Sequence, residues 1–223
     1  MSKEKRKGNA SALVSLLCFL FIGAGAGLSM IPLLDYFFEG DGNLFVTIMG
    51  TLIMVSLMYV AIFLEMAIHE AGHLVFGLAT GYKFVSYRIG SLVFFKENGK
   101  LKVKRFSLPG TGGQCLMEME EYSPSFPVVL YNAGGSLFNF LSSVIFLLLF
   151  FLLMDVPFLS SFLLMAAFVS FGLGAMNIIP FIYGNDGSNI VAIKKNEMER
   201  KCFWCQINYP RSRTAGFATV HRY

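Results

Sequence analysis

Inside the long apolar stretch from Leu44 to Ala79, His69 and His73 stand four residues apart, with Glu70 between them. Residues at i and i+4 share one face of a helix. Both imidazoles can therefore reach one metal ion through neutral ring nitrogens, and Glu70 can take a proton from a water activated by that ion. A zinc site of this kind needs a third protein ligand and keeps a fourth position open for water. Ionisable side chains in an apolar helix are costly, so three of them together mark a functional site. Two histidines merely satisfied in a core would leave the glutamate between them unexplained. The chain has 3 histidines in all, and the remaining one is His221.

What must position these residues follows from composition. Apolar residues make up 55% of the 223 and charged residues only 14%, a balance that suits a chain solvated mostly by lipid. Lys and Arg fall in three blocks, Lys3 to Lys7, Lys83 to Arg105 and Lys194 to Arg222. Their placement beside apolar spans fits the positive-inside rule, and no nucleic-acid recognition motif accompanies them. The 4 cysteines form no disulfide framework. Cys18 lies in an apolar span, Cys115 in a loop expected on the cytoplasmic side, and Cys202 and Cys205 form a C-x-x-C. A redox pair or half of a zinc site is one reading, but a metal site needs more ligands and only His221 follows, so the pair reads as two reduced cytosolic thiols.

The pattern predicts an all-α polytopic membrane protein with about four transmembrane helices and a small β-hairpin between the second and third. Met1 to Ala10 reads as a basic cytoplasmic tail, and Ser11 to Ile31 as a first span. Ala24-Gly25-Ala26 resembles a signal-peptidase site, but the apolar run continues through Leu28, Met30 and Ile31, which favours a retained helix. Asp35, Glu39 and Asp41 place the next loop outside. Leu44 to Ala79 would be about 54 Å long as one helix, enough for a single tilted or extended span running inward. His69, Glu70 and His73 then lie in its cytoplasmic half. Glu65 faces roughly the same side, where it suits support of the site or helix packing; a partly solvated glutamate is the other reading. Thr80 to Pro127 is a loop with strand character. Tyr82 to Phe95 and Leu101 to Lys104 flank an Asn98-Gly99 turn, and Pro109 to Gly113 forms a flexible turn. Such a hairpin could pair with an extended substrate or lie on the membrane surface.

Val128 to Met154 is the third span, opening on small and amide residues from Asn132 to Asn139. Asn139 could bond a substrate, a metal-held oxygen or a neighbouring helix. Asp155-Val156-Pro157 is an outer turn, and Phe158 to Ile182 the fourth span, broken at Pro180. Three regions result: 1–43 with the tail, first helix and outer loop; 44–187 as the membrane core, with its hairpin loop at about 80–127; and 188–223 as a basic cytoplasmic tail. Spans two and four both run inward, so their cytoplasmic ends lie level. Asp186, just past the break in span four, thereby becomes the best third ligand. Glu118, Glu120 and Glu121 share that side in a mobile loop, and Asp155 lies on the other side.

With these residues in place, the chain resembles the site-2 protease family of intramembrane zinc metalloproteases, in its minimal prokaryotic form. His69-Glu70-Ala71-Gly72-His73 matches the H-E-x-x-H of that family, and Gly112 to Met117 is similar to its G-G-x-x-x-M. Gly134 to Asn139 looks like its A-G-P-x-x-N, with Ser136 at the proline. Asn177-Ile178-Ile179-Pro180 with Asp186-Gly187 resembles its N-x-x-P…D-G, with one extra residue in the gap. The resemblance implies one zinc per chain held by His69, His73 and Asp186, with Glu70 as general base. It also implies Asn139 and Asn177 as substrate or transition-state contacts. The implied activity is hydrolysis of a peptide bond in or next to a transmembrane segment of a membrane-bound protein or peptide. Three other readings stand beside it: a membrane zincin of CAAX-protease type with a glutamate as third ligand, a catalytically idle relative that binds membrane partners, and a small transporter or channel.

Overall fold

Asn43 begins the helix that carries the pentapeptide, its side-chain oxygen accepting from the Phe45 N–H at 2.9 Å. The computed structural model describes residues 3–31, 33, 43–97, 99–106, 112–119, 125, 127–180, 182 and 184–208, with side chains for all but 3–8 and 206–208. Helix α1 covers Lys3–Ser29 and α2 covers Leu44–Ala79. Helices α3, Val128–Leu152, and α4, Pro157–Ile178, follow the sheet, and then come two short helices, α5, Asp186–Lys195, and α6, Glu197–Asn208. Helices α1 to α4 are each long and apolar enough to cross a membrane. Helix α1 reaches back through Lys3–Lys7, where a polar tail was expected; Lys, Glu and Arg are strong helix formers and extend a helix already begun. Asp35, Glu39, Asp41, Asn98, Pro109 to Thr111, Glu120, Glu121 and His221 lie outside the described residues.

Helix ends follow local chemistry. Gly81, at φ +91°, closes α2 in the left-handed region. Pro157 sits in the first turn of α4, where its missing N–H is no loss. Ile179, just before Pro180, is extended at φ −72° and ψ 116°, so α4 stops there. Small residues bring the helices together. The α1 and α4 backbones approach where a Cβ on Gly172 would strike Ile22 and one on Gly25 would strike Phe168. Ile22, Ala26, Ala61, Met165, Ala166 and Val169 fill the core among α1, α2 and α4.

Between α2 and α3 lies a four-stranded antiparallel sheet rather than a single hairpin, in the order β3-β2-β1-β4. Its strands are β1 Lys83–Ile89, β2 Leu92–Glu97, β3 Lys100–Arg105 and β4 Gly113–Glu118. Gly90, at φ +55°, divides the run from Tyr82 to Phe95 into two strands, because the chain must reverse there. The G-G-x-x-x-M segment, expected as loop, is β4: alternate residues Cys115 and Met117 are buried, the period of a half-buried strand. Strand β1 runs back along α2. The Tyr82 N–H donates to Gly77 O at 2.9 Å, and Tyr87 Oη donates to Ala67 O at 2.6 Å. Its far end, Gly90, lies beside Phe63. This antiparallel course carries β4 past Glu70.

Candidate metal centre

The site forms where α2, α3 and the start of α5 meet. Helix α2 supplies His69 and His73, whose rings stand 4.8 Å apart between centroids, and both are buried. Helix α3 crosses against them without side chains in the way. A Cβ on Gly72 would strike the Gly134 carbonyl, and one on Gly134 would fall 2.6 Å from Gly72 O, so the two backbones touch. A Cβ on Gly135 would lie 2.6 Å from Nε2 of His69 and 2.6 Å from Nε2 of His73. Only glycine leaves that space open.

Asp186 closes the group. Its Oδ2 lies 3.2 Å from His69 Nε2 and 3.3 Å from His73 Nε2, and the two Nε2 atoms are 3.2 Å apart. A tetrahedral zinc with bonds of about 2.0–2.1 Å separates its ligand atoms by about 3.3–3.4 Å. The triangle therefore fits such an ion. The donor chemistry fits as well. His73 Nδ1 is 2.8 Å from the Tyr131 carbonyl oxygen, an acceptor only, so Nδ1 carries the proton and Nε2 a lone pair. His69 Nδ1 is 3.0 Å from Asn139 Oδ1, with the same consequence. Asp186 Oδ2 is buried with no hydrogen-bond partner among the described residues. Three lone pairs thus converge. A shared proton satisfies one edge of the triangle; a divalent cation satisfies all three.

Asn185, which the sequence reading passed over, sets the position of Asp186. Its amide nitrogen donates to Met176 O at 2.6 Å and to Ile179 O at 2.8 Å, where α4 unwinds, and Ile179 O also accepts from the Ile182 N–H at 3.3 Å. Its Oδ1 accepts from the Ser188 N–H at 2.8 Å and caps α5. One side chain thereby ties the end of α4 to the start of α5, with Asp186 in the first turn. An Asn-Asp-Gly-Ser run was the available signal, since asparagine before a new helix reads as its cap. Gly187 permits the approach, because a Cβ there would strike Ile178 O.

Glu70 lies beside the triangle against β4. The Cys115 N–H donates to its carboxyl group, and a Cβ on Gly113 would sit 2.8 Å from its Cγ. The Cys115 carbonyl accepts from Tyr131 Oη at 3.1 Å. Both main-chain groups of Cys115 on the open side of β4 are therefore in use. Burial, with the Glu70 charge added, pushes the Cys115 thiol up to about 12, so it stays protonated at neutral pH. The same two causes, with Cys115 a third, push Tyr87 up to about 12.

Among the described residues, His69, His73 and Asp186 are the one group of His, Cys, Asp or Glu placed to hold a metal. Glu118 pairs in register with Lys83 at the other end of β4. Asn139 is fully buried and bonded through both ends of its amide, to His69 and to Glu65. Asn177 donates to Leu173 O at 3.0 Å within α4. Cys202 and Cys205 are exposed on α6. Residues 57–161 match a family model described as Peptidase family M50, the site-2 protease family. That match takes in the pentapeptide, β4 and the Gly134–Asn139 segment and ends before Asn177 and Asp186. No curated protein and no solved structure gives a significant match.

Proposed function

We propose that this chain, whose residues 57–161 match the model of Peptidase family M50, is a zinc metalloendopeptidase that cuts a peptide bond in or beside a membrane-held segment of its substrate. The observation that carries the proposal is the triangle of lone pairs on His69 Nε2, His73 Nε2 and Asp186 Oδ2, with sides of 3.2, 3.2 and 3.3 Å. Zinc held there supplies a Lewis acid that polarises the scissile carbonyl and lowers the pKa of water toward neutral. Glu70 takes the proton of the attacking water and returns it to the leaving amine. The Cys115 N–H keeps the Glu70 carboxyl aimed along the open side of β4. Gly135 keeps the space in front of both imidazoles free for the reacting carbonyl.

In this reading the protein crosses the membrane with α1 to α4, with both ends and the mouth of the site on the cytoplasmic side. Helices α2 and α4 run inward, which sets His69, His73 and Asp186 at one level in the cytoplasmic half and lets water reach them. A helical transmembrane substrate satisfies its peptide groups within itself, so it must unwind locally before its carbonyl can be attacked. Glu70→Gln keeps the size of the side chain and removes its basicity. The variant should bind zinc as the native chain does and lose about 10²- to 10⁴-fold in cleavage rate. Mass spectrometry of membrane peptides from cells carrying either form reads the result, and undiminished cleavage would overturn the role of Glu70.

A further inference from the structure

Glu65 is fully buried in the middle of an apolar helix, one turn before His69, and has no place in the mechanism above. Three donors meet its Oε2: Asn139 Nδ2 at 3.4 Å, Ser142 Oγ at 3.1 Å and Ser170 Oγ. They come from α3 and α4, so the carboxyl group of α2 joins three helices. Burying a carboxyl group this deeply is expensive, and a helix contact alone could be made by apolar side chains. The direction of the Asn139 amide supplies the reason for keeping it. With its nitrogen turned to Glu65, the amide must present Oδ1 to His69 Nδ1.

We propose that Glu65 is a positioning residue of the metal site, holding Asn139 in the one orientation that keeps His69 a metal donor. Turn the Asn139 amide over and its oxygen faces Glu65 Oε2, acceptor against acceptor. Its nitrogen then faces His69 Nδ1, which must accept, so the imidazole proton moves to Nε2. That proton would point at His73 Nε2 and Asp186 Oδ2, each 3.2 Å away, and His69 would cease to be a ligand. Glu65 thus acts on the ion through two intervening side chains and touches neither substrate nor metal.

The inference rests on the zinc reading, and zinc affinity separates the two. The full-length chain in detergent is titrated with zinc against a chromophoric chelator, as native protein, Glu65→Gln, Glu65→Leu, Asn139→Ala and the Glu65→Leu/Asn139→Ala double variant. Helicity and elution from a sizing column are matched first; Glu65→Met, close to the native length, repeats the test should leucine not fold. Glu65→Leu should weaken zinc about 10- to 100-fold, the usual consequence of losing support behind a ligand. Glu65→Gln keeps an acceptor for Asn139 Nδ2 and should recover most of that loss. The double variant should bind no more weakly than Asn139→Ala alone, because both changes act on one chain of bonds. Unchanged affinity in the folded leucine or methionine variant, or additive losses in the double variant, would overturn the proposal. A native chain that takes up no zinc would instead remove the metal reading beneath it.

Discussion

At the scale of single residues, the site depends on an absence. Gly135 leaves a gap that a methyl group would fill, 2.6 Å from each of the two Nε2 atoms. Helix α3 can make room only by giving up its close contact with α2, where Gly72 and Gly134 meet backbone to backbone. Gly135→Ala should therefore overpack the site by about 1–3 kcal/mol and cut bound zinc and cleavage together while helicity holds. Gly23→Ala is the matched control, since nothing lies within 4 Å of its added methyl. Metal content per chain after purification decides it: equal zinc in both variants would mean that the ion does not sit against α3. The pentapeptide was legible in the sequence because both imidazoles lie on one helix, so spacing alone puts them together. Asp186 needed the further step of counting spans. The bonds from His69 to Asn139 and on to Glu65 had no such local signature, since the partners lie 70 and 74 residues apart and meet only when α2 packs on α3.

At the scale of elements, the sheet matters because of how it leans on α2. Tyr87 Oη reaches the carbonyl of Ala67, two residues before His69, and this bond ties the middle of β1 to the helix beside His69 and His73. Strand β4 pairs with β1 from Gly113 to Glu118, so the aim of the Cys115 N–H at Glu70 is inherited from that tie. Tyr87→Phe removes one hydrogen bond and leaves the ring packing in place, a net loss of about 0.5–1.5 kcal/mol. The expected outcome is lower kcat with zinc affinity unchanged, because Glu70 loses its rest while His69, His73 and Asp186 keep theirs. A variant with native kcat would show that β4 holds its place without the tie. The sequence predicted strands here from β-branched and aromatic residues but missed β4. Two glycines ahead of Gln114 read as a turn, whereas the burial of Cys115 and Met117 under Tyr82 and Tyr131 depends on tertiary packing. The turn at Gly90 was hidden for a similar reason: on either side of it the residues favour strands.

At the scale of the whole molecule, the shared level proposed for His69, His73 and Asp186 depends on parity. Helix α4, of 22 residues, rises about 33 Å, roughly one hydrocarbon core, and has a short turn at one end and Asp186 beyond the other. If α4 crosses, the turn from Leu153 to Val156 and the exposed thiols of Cys202 and Cys205 face opposite sides of the membrane. Asp155, exposed in that turn, gives the probe. In intact cells a membrane-impermeant thiol reagent should label Asp155→Cys, and it should reach Cys202 and Cys205 only after permeabilisation. Cys115 is buried and its thiol stays protonated up to about 12, so it adds little background. Labelling of both positions from one side would mean that α4 does not cross. The basic blocks would then lose their common side, and water would have no cytoplasmic route to Glu70. The triangle itself would survive that result, since it is made by α2 folding against α5, but the substrate would have to approach from another face of the membrane.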